Sequence, residues 1–507
     1  MTNKQHLAIV LLSAIIITAL FHNQSPGLNV LIYETCLFIW LAVSTSFRFT
    51  GLNRIVCSIG VLSTALFSVL TNSPFSIFLN LLSGFIFVGI LIYPEAKSLL
   101  HTFGLSASNI LSSQLRFVRE LSELNFNNKK LDRTIKIMKI FIIPVLIIFI
   151  FIAIYRNANP VFDNLMVSID SFLGDSLQFL FKDFDFTIIV TFLIGLLFSS
   201  FILLRTSNRK IEQSDRESTE LLTRDRVRHS SSFRFTSLKN EYKAGVFLLI
   251  VLNSILLVLN AIDINWVWFN FQWDGQFLKQ FVHEATDLLI LSIFISLALV
   301  LFYFRRNLNF YQGNTLLKVL TYIWLFQNAI LAVSVGIRNF WYINYFALAH
   351  KRIGVIIFLV LTMYCIYTIY IKVKERKSAF YLFKSNAFAF YVVLVVSSFI
   401  NWESFIVNYN FRNADKSYLD LGCLEDFPDQ CLADLDKPLS ELSRIDTIQK
   451  AKFSFVKTNR TPEKYHSIIE KRKQEFKKRW ESQGVLSWNL PEYLAYQELF
   501  VRNPASH

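Results

Sequence analysis

The chain has 507 residues and is 53% hydrophobic but only 17% charged, whereas a soluble globular domain is about a quarter charged. Its 51 phenylalanines stand against 15 glycines and 10 prolines, so the apolar runs are long and seldom broken, which excludes a water-soluble fold in favour of a polytopic membrane protein. The net charge of +14 is not read as a nucleic-acid footprint, because membrane proteins gather Lys and Arg in their cytoplasmic loops for topological reasons.

Apolar segments of membrane length occur at 7–21, 28–47, 55–70, 75–93, 135–155, 187–204 and 244–262, then at 286–303, 316–335, 353–371 and 387–402. A helical span needs ~20 residues, and each span must be helical because lipid offers no partner to a free backbone amide. The predicted fold is therefore all-α, a transmembrane bundle of about 11 spans over residues 1–402. Lys4 before the first segment gives it the outline of a signal peptide, but no small-residue cleavage site precedes His22-Asn23-Gln24 and ten more spans follow. It reads as an uncleaved first helix.

Eleven spans divide the connections into two alternating sets. The N-terminus and the connections 47–54, 94–139, 205–243, 304–318 and 372–384 hold 29 Lys and Arg, and the opposite set holds 6. The positive-inside rule then places the N-terminus in the cytoplasm and the region after Trp402 outside. The connection 205–243 is polar and mixed in charge with no apolar stripe, and reads as a solvated, partly disordered loop. Pro144 is placed to kink the fifth span. Asn253 and Asn260 on the seventh span and Gln327 and Asn328 on the ninth are placed to bond across helices.

Residues 403–507 read as a small helical module. The stretch 401–446 carries a net −6 and 447–507 a net +6, which favours folding one half back on the other. Thr461 is a helix cap, Pro462 suits the first helical position, and Gly484 is expected to close that helix. Tyr465, Ile468, Ile469, Phe476 and Trp480 give it one apolar stripe, and a second helix is expected to start at Asn489-Leu490-Pro491.

The stretches "FVHEATDLLILSIFISLALVLFYFRRNLNFY" at 281–311, "IRNFWYINYFALAHKR" at 337–352, "NWESFIVNYNFRNADKSYLDLGCLEDFPDQ" at 401–430 and "LSWNLPEYLAYQELF" at 486–500 resemble a family of polytopic bacterial membrane proteins, domain of unknown function 4173. The resemblance implies an inner-membrane protein with an extracytoplasmic C-terminal region. It carries over no activity and no catalytic residue.

His283-Glu284-Ala285-Thr286-Asp287 looks like the zinc-protease helix with its second histidine replaced. A third ligand is missing from any recognisable motif, so the stretch reads as a polar collar at the membrane interface, with no metal and no cofactor. Asp263, His283, Glu284, Asp287, Arg338, His350 and Arg352 all fall on the predicted outer face. Glu34 lies in the second span from that same face, where a carboxylate is costly unless protonated or paired. An ion pair with Arg338 or Arg352 would be its structural role. Cys423 and Cys431 flank Pro428 on the predicted exterior and form a disulfide candidate. No phosphate-binding or nucleophile-elbow motif occurs.

These features point to a non-enzymatic role in envelope sensing or assembly, with the bilayer as partner and a periplasmic protein or ligand at the module. The alternative is a transporter or intramembrane enzyme using Glu34 with the outer acidic and arginine cluster. A water-filled pocket reaching Glu34 would favour that alternative, and a dry, ion-paired Glu34 the first reading. Reporter fusions or single-cysteine labelling are expected to place 205–243 inside and 403–507 outside. A tail fusion reporting from the cytoplasm overturns this topology.

Overall fold

In the computed structural model, residues 3–44, 50–123, 186–224, 238–270, 277–305, 307–453 and 460–502 are described, with parts of 148–169. They form an all-α bundle with no strand among the described residues, only an isolated bridge between Leu221 and Lys377. Six described helices are long and apolar enough to cross a membrane, and five shorter apolar helices accompany them. The chain is a multi-pass membrane protein. Ten of the eleven expected spans coincide with these helices, while 135–155, including Pro144, lies almost wholly outside the described residues.

The bundle consists of α1 (Asn3–Phe21), α2 (Leu28–Ser44), α3 (Leu52–Leu70), α4 (Pro74–Ile92), α5 (Leu99–Glu123), α6 (Phe186–Leu203), α7 (Arg209–Glu217), α8 (Leu238–Asp263), α9 (Phe277–Tyr303), α10 (Thr315–Phe346), α11 (His350–Glu375) and α12 (Ala379–Ser397). Local chemistry fixes several starts. Ser73 and Ser76 form a reciprocal capping box ahead of Pro74, and the Ser378 hydroxyl accepts from the Tyr381 amide to begin α12. In the N-terminal half α1 packs on α6, and α3 on α2 and α4; in the C-terminal half α10 packs on α8, α9 and α11. Helix α12 lies against α11 but also against α3 and α5, which joins the halves.

Helix α5 departs from expectation, since 94–139 read as a connection. Thr102, Ser106, Asn109, Ser113 and Glu120 are buried, while Leu100, Phe103, Ile110, Leu111 and Leu115 on its other face are exposed. The helix is inside out for water and right way round for lipid. Ser106 Oγ donates to the Phe85 carbonyl at 2.5 Å, Asn109 Nδ2 to Phe201 at 2.8 Å and Gln114 Nε2 to Leu197 at 3.0 Å. Gly89 permits the approach, because a Cβ there would collide with the Thr102 carbonyl. A hydropathy scan misses such a helix, because half of its residues are polar.

The loop at 205–243 is also partly folded. Its first part forms α7, whose Asp215 is fully buried and accepts the Lys97 amide at 2.8 Å. Residues 225–237 lie outside the described residues.

At one end of the bundle the turns 22–27, 71–73 and 347–349 meet the C-terminal region. That region holds α13 (Trp402–Arg412), α14 (Leu439–Lys452), α15 (Pro462–Ser482) and α16 (Leu490–Tyr496). Its core gathers Val407, Leu432, Leu435, Leu442, Tyr465, Ile469 and Phe476. The two oppositely charged halves do pair: Arg460 with Glu425, Arg472 with Asp429 at 2.5 Å, and Lys473 with Asp436 at 2.8 Å. Thr461 caps α15 as expected, but the helix ends at Ser482, and Gly484 has an ordinary negative φ of −73°.

Docking uses main chain. The Leu28 amide donates to the Trp488 carbonyl at 3.0 Å, Ser25 N to Ser487 Oγ at 2.9 Å, and Asn410 brackets Leu348 with both amide groups at 2.7 and 2.9 Å. A Cβ on Gly27 would lie 2.7 Å from the carbonyl oxygens of both Ser487 and Trp488. Neither backbone oxygen can swing aside. Gly27→Ala is therefore expected to loosen this contact, seen as faster limited proteolysis near 483–489 while the bundle stays intact. Unchanged cleavage rates would refute the dependence on Gly27.

Candidate functional site: the Glu34 cavity

Asn29 sets the entry into α2 by accepting the Gly27 amide at 2.9 Å and donating to the Leu20 carbonyl at 3.1 Å. Glu34 follows six residues after Leu28, ~9 Å along the helix. Its Oε1 accepts from Asn80 Nδ2 of α4 at 2.9 Å, and Asn80 also reaches Thr64 Oγ1 of α3 at 3.4 Å. Glu34 Oε2 is enclosed and meets no donor among the described residues. Beside it, buried Tyr33 places its hydroxyl 3.3 Å from Ser13 of α1, which receives Ser199 of α6 at 2.9 Å.

These groups border a cavity of about 220 Å³ between α2, α3, α4 and α6. Apart from Tyr33, Glu34 and Asn80 its wall is apolar, with Leu37, Val61, Phe85, Phe87 and Ile202. Leu81 and Phe198 also line it and are 54% and 40% exposed on the outside of the bundle, so the cavity reaches the face that lipid covers.

The expected ion pair of Glu34 with Arg338 or Arg352 is not formed. Arg338 of α10 bonds Asp263 of α8 at 2.6 Å, with both side chains almost wholly buried. Arg352 donates to the Phe346 carbonyl at 2.6 Å and to that of Ala347, with its guanidinium 4.3 Å from the Tyr342 ring centroid. Both arginines are thus committed within the C-terminal half, to an acid or to the open carbonyls of a helix end.

Among the described side chains of the expected outer cluster, the contacts are local ones. His350 lies 3.6 Å from the buried Glu403 of α13 and stacks on Phe427. His283, Glu284 and Asp287 lie in the first turns of α9, and their side chains fall outside the described residues. Three of the four interhelical amides behave as expected: Asn253 Nδ2 donates to the Leu320 carbonyl at 3.1 Å, Gln327 Nε2 to Asn253 Oδ1 at 2.9 Å, and Asn260 Nδ2 to the Gln327 carbonyl at 3.1 Å, whereas Asn328 Nδ2 donates to the Trp324 carbonyl of its own helix at 2.8 Å.

Cys423 and Cys431 are both free thiols here, which corrects the expected bridge. Burial, and then the bond from Cys423 Sγ to Asp420 at 3.3 Å, pushes the Cys423 thiol up to about 11. Burial alone outweighs the Ser404 contact at Cys431 and pushes it up to about 12. Neither offers a thiolate at neutral pH, and proximity in sequence did not reveal that one thiol faces the core.

Asp436, His466 and Glu470 bring three ligand-type atoms within 4.8 Å of one another. Lys473 Nζ already sits 2.8 Å from both carboxylates. Burial pulls its ammonium down, but the bonds from Asp436 and Glu470 leave it raised above its ordinary value. A protein cation fills the place a metal would need.

The family described as Domain of unknown function (DUF4153) matches residues 35–437. The chain belongs to this family. The assignment replaces the resemblance to domain of unknown function 4173: three of the four stretches that suggested it lie inside the DUF4153 match, and 486–500 lies beyond it. No curated protein and no solved structure matches the chain. The DUF4153 region contains Asn80, Asp263, Arg338 and Glu403 and begins one residue after Glu34.

Sequence reasoning missed Asn80, Tyr33 and Ser199. A polar residue within an apolar run was the available signal, as in "SIFLNLLSG" around Asn80. For the Asp263–Arg338 pair, Arg338→Met is expected to destabilise the protein by about 3–5 kcal/mol by stranding the buried carboxylate. The double variant Asp263→Leu with Arg338→Met should recover most of that loss in detergent unfolding titrations. A double variant as unstable as Arg338→Met alone would show the stranded charge is not the cause.

Proposed function

We propose that the protein is a non-enzymatic, membrane-embedded binding protein of the bacterial inner membrane, holding a cationic amphiphile at Glu34. The observation that carries this reading is a carboxylate with one oxygen lacking a partner among the described residues, facing an apolar cavity on the lipid side. An ionised acid in hydrocarbon costs several kcal/mol unless a proton or cation meets it. A primary ammonium supplies both the charge and the missing donor, and an alkyl chain suits Leu37, Phe85 and Ile202. The volume of about 220 Å³ falls below the ~300–1,000 Å³ of sites that enclose a whole ligand. The headgroup and the start of a chain fit inside, and the remainder runs out past Leu81 and Phe198.

In this reading the N-terminus is cytoplasmic and 403–507 is an extracytoplasmic module over a bundle of 1–402. Glu34 lies less than two turns from Leu28, whose amide holds Trp488 of the module. Occupancy of the cavity thereby reaches the outer surface, which suits envelope sensing. A carrier is the second reading, favoured by the cavity that reaches Glu34, by the lack of an ion pair there among the described residues, and by the hydroxyl string Tyr33–Ser13–Ser199 that leads from the cavity across α1 to α6.

Dodecylamine and dodecanol, titrated into the protein in phosphatidylcholine nanodiscs and followed by native mass spectrometry, test the proposal. Dodecylamine should bind about tenfold tighter or more, as a charge-assisted hydrogen bond requires. Glu34→Gln should erase the difference. Gly84 lines the cavity, and a Cβ there meets nothing within 4 Å, so Gly84→Leu should fill the space and block binding without lowering the melting temperature. Equal dodecylamine affinity in wild type and both variants would sink the proposal.

A further inference from the structure

A second cavity, of about 230 Å³, lies between the first turns of α1, the later part of α2 and the end of α6. Its polar wall is His6, Arg116 and Arg205, and its apolar wall is Ile9, Trp40 and Leu203–Leu204. Arg116 is partly committed: Nε bonds Glu120 at 2.7 Å, Nη1 donates to the Arg205 carbonyl at 2.8 Å, and Nη2 lies 3.4 Å from His6 Nδ1. It holds the Arg205 backbone in place while its side chain stays part-exposed.

Arg205 differs. Its Nε is enclosed and has no acceptor among the described residues. Burial pulls its guanidinium below the ordinary value, with no carboxylate set against that loss. Glu120 is taken up by Arg116 and His6, so among the described residues no carboxylate is set against Arg205 and its positive charge stands uncompensated. The position is a membrane boundary: α6 ends at Leu203, and a tryptophan beside apolar side chains is the usual lining at headgroup depth.

We infer that this cavity binds a phosphate-bearing anion, with Arg205 as its principal donor, Arg116 beside it, and Ile9, Trp40 and Leu203 against the apolar remainder. A guanidinium presents paired donors in the geometry of phosphate oxygens. Basic pockets between helices on the cytoplasmic side are a known setting for anionic lipid headgroups. Free phosphate would satisfy Arg205 equally but leave the apolar wall without a role. The site shares no residue with the Glu34 cavity and stands independently of the function proposed for it.

The test uses the full chain in phosphatidylcholine nanodiscs, titrated with phosphatidylglycerol or inorganic phosphate and read by native mass spectrometry. Wild type should bind phosphatidylglycerol about tenfold tighter or more than Arg205→Gln, with Arg205→Lys between them and phosphatidylcholine adducts equal throughout. Millimolar inorganic phosphate failing to displace the lipid identifies the headgroup as the source. Arg205-dependent displacement by phosphate instead identifies the free anion, with the same donors. Equal phosphatidylglycerol affinity in wild type and Arg205→Gln overturns the inference. Should Arg205→Gln fail to fold, a phosphatidylglycerol bearing a diazirine in its chain tests the wild type directly. Crosslinks at Ile9, Trp40 or 203–204 support the site, and crosslinks confined to other surfaces refute it.

Discussion

Lipid cannot satisfy a polar group, and this constraint organises the bundle more than any single contact. Side chains that would face water in a soluble protein turn inward here and find one another. Asn253, Gln327 and Asn260 stitch α8 to α10, Asp263 and Arg338 close the same pair of helices, and the polar stripe of α5 bonds carbonyls of α4 and α6. Outward faces are apolar in turn: Ile255, Leu257 and Val258 of α8 are each about 60% exposed. Interhelical hydrogen bonds in membranes average well under 2 kcal/mol each, so register follows from many modest bonds and not from one strong one.

At the helix ends the constraint relaxes and charge returns, used differently at each end. Opposite the C-terminal region, basic side chains cover carbonyls. Arg54 Nε donates to Pro94 at 2.6 Å, Lys97 Nζ to Arg216 and Ser218 at 2.7 and 3.0 Å, and the buried Lys372 Nζ to Phe304 and Lys377 at 3.0 and 2.9 Å. The excess of Lys and Arg that orients a membrane protein also serves as its capping chemistry there. At the other end, uncharged main-chain bonds fasten a region with its own apolar core and its own ion pairs.

The spans were legible because hydropathy over ~20 residues reports on lipid directly. The Thr461 cap and the opposed charges of the C-terminal halves were legible because each depends on local or bulk chemistry. Helix α5 was not, since its polar and apolar residues alternate by turn and average out. Nor was the burial of Asp215, which sits in a stretch as polar as any solvated loop. Partners of the ionisable groups were the least legible. Glu34, Asp263, Arg338 and Arg352 share one end of the bundle, and only packing decides which acid meets which base. The two cysteines failed for the same reason, since a gap of seven residues says nothing about which thiol faces the core.

Packing between α1 and α6 sets the relation between the two cavities. A Cβ on Gly195 of α6 would lie 3.1 Å from the Ala14 carbonyl of α1, so these helices approach closely. Ile202 lines the acidic cavity and the next residue, Leu203, lines the basic one. The two sites differ in what their charges can do unaided. An arginine at a helix end has a long stem and reaches the headgroup layer by itself. A glutamate more than a turn inside α2 has a short stem and cannot. On the readings proposed above, Arg205 meets its anion at the boundary unaided, while Glu34 takes a proton or cation carried to it through lipid.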